Sequence, residues 1–314
     1  MTANVRSAPG VRGYLPELAI AAAAFLYGVT FSIVQDALDH TTPMGFNLMR
    51  FTVGALALAP FALRRPWAGP GRRPSDSMRT FLLGGASLGV IAAFAYLFQN
   101  IGLQHTSTSN SAFITGLFAV FTPIVEAIVY RRFPRSGIVL AVAISIVGLF
   151  LLTGAELSMS YGDAVTLLTA ALFGCWYVRT GMLANRFDIF GLTAVQLAVV
   201  ALVCIPFVAV DGFGDIDNGV ILTVIVTGIG CSAVAFALSA WAQRTIDPSR
   251  ASILNLLEPV VAGVVGYAVG ERLGVTGYLG ALLILAGIFV AERGTHAAGR
   301  HSAAVDRSAG GDLR

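Results

Sequence analysis

The chain has 314 residues, 56% of them hydrophobic and only 12% charged, with a mean hydropathy of +0.78. An average soluble domain carries roughly 25% charged residues, so this composition excludes a water-soluble enzyme or binding domain of the same size. The net charge of +3 gives no electrostatic basis for nucleic-acid binding, and every cationic side chain is Arg.

Apolar stretches of membrane-spanning length recur along the whole chain. A hydrocarbon core of roughly 30 Å needs about 20 helical residues to cross it. Each backbone amide there must be satisfied within its own segment, so the spanning elements are helices. The pattern predicts ten, numbered here helices 1–10: Leu15–Val34, Met44–Leu63, Thr80–Phe98, Asn110–Tyr130, Gly137–Thr153, Gly162–Met182, Gly191–Val210, Gly219–Trp241, Arg250–Gly270 and Val275–Ala291. Turn chemistry separates them, as in Thr41-Thr42-Pro43, Asp217-Asn218-Gly219 and Asp247-Pro248-Ser249. The first stretch is too long for a signal-peptide core, although Arg6 and Arg12 precede it. Residues 1–14 read as a cytoplasmic N-terminal segment and 292–314 as a disordered cytoplasmic tail.

Ten crossings sort the arginines. All except Arg50 and Arg272 fall on the side that holds the N-terminus, while Asp36, Asp39, Glu156, Asp211, Asp215 and Asp217 fall on the other. The positive-inside bias makes the arginine-rich side cytoplasmic, with both termini there, in a cell (plasma or inner) membrane.

Two halves repeat. At an offset of 146, Gly28 meets Gly174, Phe31 meets Tyr177 and Gly45 meets Gly191. At an offset of 139, Ala112 meets Ala251, Ile114 meets Ile253, Leu117 meets Leu256 and Gly148 meets Gly287. The halves are residues 15–153 and 162–291, with five helices each. Five is odd, so the second half enters the membrane from the opposite side: an all-α integral membrane protein of two inverted five-helix repeats. That symmetry gives inward-open and outward-open states similar energies and puts a substrate site near the midplane, between the halves.

The second half ends in NLLEPVVAGVVGYAVGER…GYLGALLILAGIFVAE, the first carries NSAFITGLFAVFTPIVEAIVYRRF, and LYGVTFSIVQDAL opens the chain ahead of Arg50. This combination resembles the EamA-type branch of the drug/metabolite transporter superfamily over nearly the whole chain. The resemblance implies ten helices, an inverted repeat, and export or exchange of small metabolites: amino acids, related compounds or toxic compounds. One departure is the Arg131-Arg132-Phe133-Pro134 turn, where family members commonly carry Gly-Glu-Arg.

Several residues are candidates for function. Arg50 lies inside helix 2, where a central Arg costs at least ~2.5–3.5 kcal/mol unless it faces protein or water. It is either an anion contact or gate partner, or a structural cation that satisfies carbonyls. Glu258 precedes Pro259, which cannot donate to the Asn255 carbonyl and weakens helix 9 there. Glu258 and Asn255 either handle substrate and protons or satisfy freed backbone. Glu126 follows Pro123, a second candidate helix break, and suits an interfacial ion pair with Arg131. Tyr27, Thr30 and Phe31 match Phe173, Trp176 and Tyr177 across the repeat, each set on one helical face. These aromatics suit either a cavity wall or helix packing. Phe94, Phe98 and Gln99 of helix 3 are placed in the same space. Gly85 and Gly89 have the spacing for close helix contact.

No zinc-protease, phosphate-loop, Ser/His/Asp or Cys/His metal pattern occurs, so neither catalysis, cofactor nor metal is expected. Cys175, Cys204 and Cys231 sit inside apolar stretches as small hydrophobes. The sequence points to a secondary transporter with the lipid bilayer and a small molecule as partners and protons as the candidate coupling ion. A multidrug efflux protein and a non-transporting scaffold are the alternatives, and oligomeric state is left open.

Overall fold

The computed structural model describes residues 14–106, 108–154, 160–268 and 274–309. The described residues form helices joined by loops, with no strand among them. The helices are α1 (Leu15–His40), α2 (Pro43–Arg64), α3 (Met78–Leu103), α4 (Thr108–Gly116 and Phe118–Tyr130), α5 (Ser136–Thr153), α6 (Tyr161–Ala184), α7 (Ile189–Asp211), α8 (Asn218–Ala242), α9 (Pro248–Asn255 and Leu257–Ala268) and α10 (Val275–Ala309). They match helices 1–10 one for one. Nine of them are long and apolar enough among the described residues to cross a membrane, and α1 contributes a shorter apolar segment, Leu15–Thr30.

Polar turn residues set the starts. Thr42 accepts from the Gly45 amide at 3.1 Å, Asp188 from Gly191 at 2.9 Å and Asp217 from Val220 at 2.7 Å. Ser77 and Ser160 form capping boxes with Thr80 and Asp163. Each cap satisfies amides that have no partner within the helix, which fixes where the chain turns at a membrane face. At the far end of α6, the Arg244 guanidinium donates to the carbonyls of Ala184 (2.9 Å) and Phe187 (3.3 Å).

Two boundaries differ from the sequence reading. α1 runs on to His40, because nothing between Val34 and Thr41 breaks a helix. α10 runs to Ala309, so the expected disorder from residue 292 is a correction: GTHAAGRHSAAVDRSA has no proline and is rich in Ala, the best helix former. The segment 1–13, Glu156 and the Gly270-Glu271-Arg272 turn lie outside the described residues.

The inverted repeat is visible in the backbone. Two isolated antiparallel bridges join loops of the two halves, Thr41 with Gly214 and Ala68 with Phe187. A shift of 146 turns Thr41 into Phe187 and Ala68 into Gly214, so the pseudo-two-fold exchanges one bridge for the other. The first is reinforced by Thr42 N to Phe213 O (3.1 Å) and Asp215 N to His40 O (2.8 Å). The second is reinforced by Gly69 N to Arg186 O (2.9 Å) and Asp188 N to Trp67 O (2.9 Å). Buried Asp76 receives Arg186 there, and this guanidinium holds the Asp76 carboxyl below the usual carboxylate range.

α2 packs on α7 and α5 on α10, each pair spanning the halves, while α1 lies along α9 and α6 along α4. One core cluster runs through both halves and includes Ile20, Phe51, Leu88, Leu149, Leu192, Leu197, Leu256 and Ile284. Gly85 and Gly89 are packing positions: a Cβ there would lie 2.7 Å from Val195 and 2.6 Å from the Gln196 carbonyl. Leu82, Ile128, Leu202, Leu222 and Leu282 face outward, which suits lipid rather than water.

Candidate functional site

Both repeats interrupt their fourth helix at the same place. In α9 the Leu256 amide bonds the Ile253 carbonyl at 3.1 Å, a tight three-residue turn, and the helix restarts at Leu257. In α4 the Leu117 amide bonds the Ile114 carbonyl, also at 3.1 Å, and the helix restarts at Phe118. These are the residues that the 139-residue offset pairs. Pro259, whose ring excludes the Asn255 carbonyl, lies three residues beyond the α9 break, but its mate in α4 is Val120, so the break forms without a proline. Pro123 does not break α4; it lies inside the continuous Phe118–Tyr130 piece. A single missing bond is tolerated there because membrane helices re-satisfy the freed carbonyl locally.

A cavity of about 230 Å³ lies against both interruptions. Helix α1 supplies Tyr27 and Thr30, α2 supplies Arg50, α3 Tyr96 and Gln99, and α4 Thr115 and Phe118. From the second half come Phe173, Trp176 and Tyr177 of α6, Cys231, Phe236 and Ser239 of α8, and Asn255 and Glu258 of α9. Close approach brings α1 to the α9 break: a Cβ on Gly28 would lie 2.7 Å from the Glu258 carbonyl oxygen. Its repeat-mate Gly174 brings α6 as close to Phe121 and Thr122 of α4.

The walls are aromatic. Trp176 meets Tyr177 and Phe236 edge-on at 5.2 and 5.3 Å, and Phe118 stacks on Tyr177 at 5.5 Å. Trp176 Nε1 donates to Gln196 Oε1 at 3.0 Å, which fixes the indole. The Arg50 guanidinium lies over Phe51 at 4.6 Å and Tyr96 at 5.2 Å, and its buried Nε has no hydrogen-bond partner. Glu258 Oε2 accepts from Asn255 Nδ2 at 3.2 Å. Among the described residues Arg50 and Glu258 share no ion pair. One cation and one carboxyl therefore face the same small space.

Of the sequence candidates, Tyr27, Thr30, Arg50, Gln99, Phe173, Trp176, Tyr177, Asn255 and Glu258 converge here. The side chain of Phe31 lies outside the described residues. Phe94 and Phe98 are corrected: they pair with each other at 6.3 Å away from the cavity, with Phe94 facing outward. Tyr96 takes their place, three residues before Gln99 and hence on its face. Glu126 is also corrected. It accepts from the amide and hydroxyl of Ser249 at the start of α9, and no ion pair with Arg131 forms among the described residues. Arg131 ends α4 in the left-handed region (φ 53°). Sequence reasoning missed Cys231, whose sulfur lies 3.0 Å from the Thr30 hydroxyl. It sits in a π-helical stretch of α8, Gly228–Ala235, a form common at functional sites.

The family model for EamA-like transporters matches residues 15–154 and 160–292, one copy for each structural repeat. The chain belongs to the EamA-like transporter family. An "uncharacterized transporter" of Archaeoglobus fulgidus is 29% identical over 285 residues, covering 90% of this chain and 87% of that one. The "uncharacterized transporter" YcxC of Bacillus subtilis is 24% identical over 281 residues, covering 84% and 88%. A solved crystal structure superposes with a TM-score of 0.72 at 18% identity, covering 87% of this chain and 94% of its own, and shows the shared fold. This EamA-family protein is an integral membrane transporter.

Proposed function

We propose that this transporter exports small organic metabolites, amino acids and related compounds above all, by alternating access between its inverted repeats. One observation carries the reading: Arg50 and Glu258 face a single aromatic-walled cavity where both fourth helices are interrupted. A guanidinium suits a carboxylate and a carboxylate suits an ammonium group, so a zwitterion is complementary at both ends. Apolar substituents would lie against Trp176, Tyr177 and Phe236. The volume of about 230 Å³ is below the roughly 300–1,000 Å³ of drug-sized sites, which favours metabolites over multidrug efflux. The arginine bias supports a cell-membrane location with both termini cytoplasmic, and Glu258 is the candidate proton carrier.

Flux in proteoliposomes tests this. Uphill movement of amino acids should follow an imposed pH gradient. Glu258→Gln mimics the protonated carboxyl, so it should abolish uphill transport and its pH dependence while exchange at equal concentrations survives. Full pH-dependent uphill transport by Glu258→Gln refutes proton coupling, and a wild type that moves no amino acid refutes the substrate class.

A further inference from the structure

The repeat symmetry reveals an asymmetry in how the two ends of the cavity are closed. Val34 is half-buried and lines the cavity on the arginine-poor side. Its repeat-mate Thr180 is fully buried, and its hydroxyl has no partner. Gln104 is exposed on the arginine-poor side, whereas its mate Gln243 is 4% exposed and both of its amide atoms lack a partner. Asn255, beside Glu258, likewise has an unpaired buried Oδ1. An unpaired buried polar atom costs roughly 1–3 kcal/mol, so a row of them is not an economical way to build a core.

The row leads somewhere. Gln243 borders a second cavity of about 560 Å³ at the arginine-rich end, lined also by Glu126, Arg135, Gly181 and Ser249. Tyr177 and Gly181 are one turn apart on α6, as are Ser239 and Gln243 at the end of α8, so the two cavities share their helices and are separated by about one helical turn.

Two consecutive residues of α9 hold that turn in place. Ser249 is bound through its amide and hydroxyl to Glu126 of α4. Arg250, 9% exposed, pairs with Glu17 of α1 at 3.0 Å and Glu292 of α10 at 2.5 Å. Glu17 has Asp163 as its repeat-mate, and Asp163 is held by Thr106 and Asn110 at the opposite end. The same position in each repeat therefore ties a first helix to a fourth, with ions at one end and neutral donors at the other.

We propose that this structure is the state open toward the arginine-poor end, that the sealed branch of the substrate path runs from Glu258 past Thr180 and Gln243 to the arginine-rich cavity, and that Ser249 and Arg250 are its latch. The proposal rests on the transport reading but concerns a different observable. Its test places a cysteine at Thr180 or at Val34, with Cys175, Cys204 and Cys231 replaced, and follows labelling of the purified protein by a hydrophilic thiol reagent in detergent. With the latch intact, Val34→Cys reacts readily and Thr180→Cys slowly. Glu126→Ala should raise the Thr180→Cys rate about ten-fold, the scale of one lost charge-assisted hydrogen bond, and lower the Val34→Cys rate. The triple variant Glu17→Gln, Arg250→Gln, Glu292→Gln removes all three charges together, strands no buried charge and should shift the rates in the same directions. An unchanged Thr180→Cys rate in both variants overturns the proposal. So does a parallel rise at both positions, which reports loosening rather than exchange. Labelling needs no substrate: rates that exchange in a protein without flux would refute transport and retain the latch, and flux with unmoved rates would do the reverse.

Discussion

Gly28→Ala adds one methyl group where α1 crosses the α9 interruption. The new Cβ would lie 2.7 Å from the Glu258 carbonyl oxygen, 2.7 Å from Val261 Cβ and 2.8 Å from Val261 Cγ1. Non-bonded heavy atoms prefer ~3.5–4.0 Å, so all three contacts repel. Overpacking of this kind costs typically 1–3 kcal/mol, and Ala regains about 1 kcal/mol over Gly in helix propensity. Backbone and Cβ atoms cannot rotate away, so the upper part of the cost applies and the net is about 1–2 kcal/mol of destabilisation. The strain falls on the backbone that carries Glu258, so transport should drop as well. Gly230→Ala is the control, since its nearest neighbour is Leu26 Cδ2 at 3.9 Å. Thermal unfolding in detergent should place Gly28→Ala several degrees below both wild type and Gly230→Ala, with slower flux. A Gly28→Ala protein that melts and transports like wild type would refute the close-approach argument.

Three further outcomes are expected. Trp176→Phe keeps a ring in the cavity but strands the buried Gln196 Oε1; it should destabilise by about 1–3 kcal/mol and change the preference between aromatic and aliphatic substrates, and an unchanged preference would return the indole to a packing role. Asp76→Asn removes the carboxylate that receives Arg186 and should lower Tm at neutral pH; because the folded carboxyl titrates below its unfolded value near 3.9, its contribution is complete above that pH and fades as pH falls through the lowered value, so the gap from wild type should close in acid, and a pH-independent gap would refute the pairing. With native cysteines replaced, a cysteine at Asp215 should react with an impermeant thiol reagent in intact cells and one at Arg72 should not; the reverse result overturns the proposed orientation.

The helix count, the repeat and most of the cavity were legible because each leaves a mark that survives in an apolar sequence. The 146-residue offset, found from Gly28, Phe31 and Gly45, relates even the loop bridges Thr41–Gly214 and Ala68–Phe187. The direction in which a helix faces was less legible. In a membrane, both the lipid face and the packed face are apolar, so no amphipathic stripe marks which side of α3 turns inward. Phe94 and Phe98 carry the same apolar mark as Tyr96, and it is the packing of α6 and α7 on α3 that turns Tyr96 inward, against Phe173. The partner of Glu126 was hidden for another reason: Arg131 is near in sequence, but the left-handed turn there ends the helix, and Ser249 arrives from the other repeat.

The two loop bridges have a mechanical consequence. Backbone hydrogen bonds strap the first half to the second at both rims of the molecule, through His40–Thr42 with Phe213–Asp215 and through Trp67–Gly69 with Arg186–Asp188. For the halves to swing apart as rigid shells, the hydrogen bonds of one strap would have to break. With α2 and α7 clasped between the straps, shape change is directed into the helices that are already segmented. In the proposed alternating access, α4 and α9 would then serve as a pair of flexures inside a hoop that the straps hold closed.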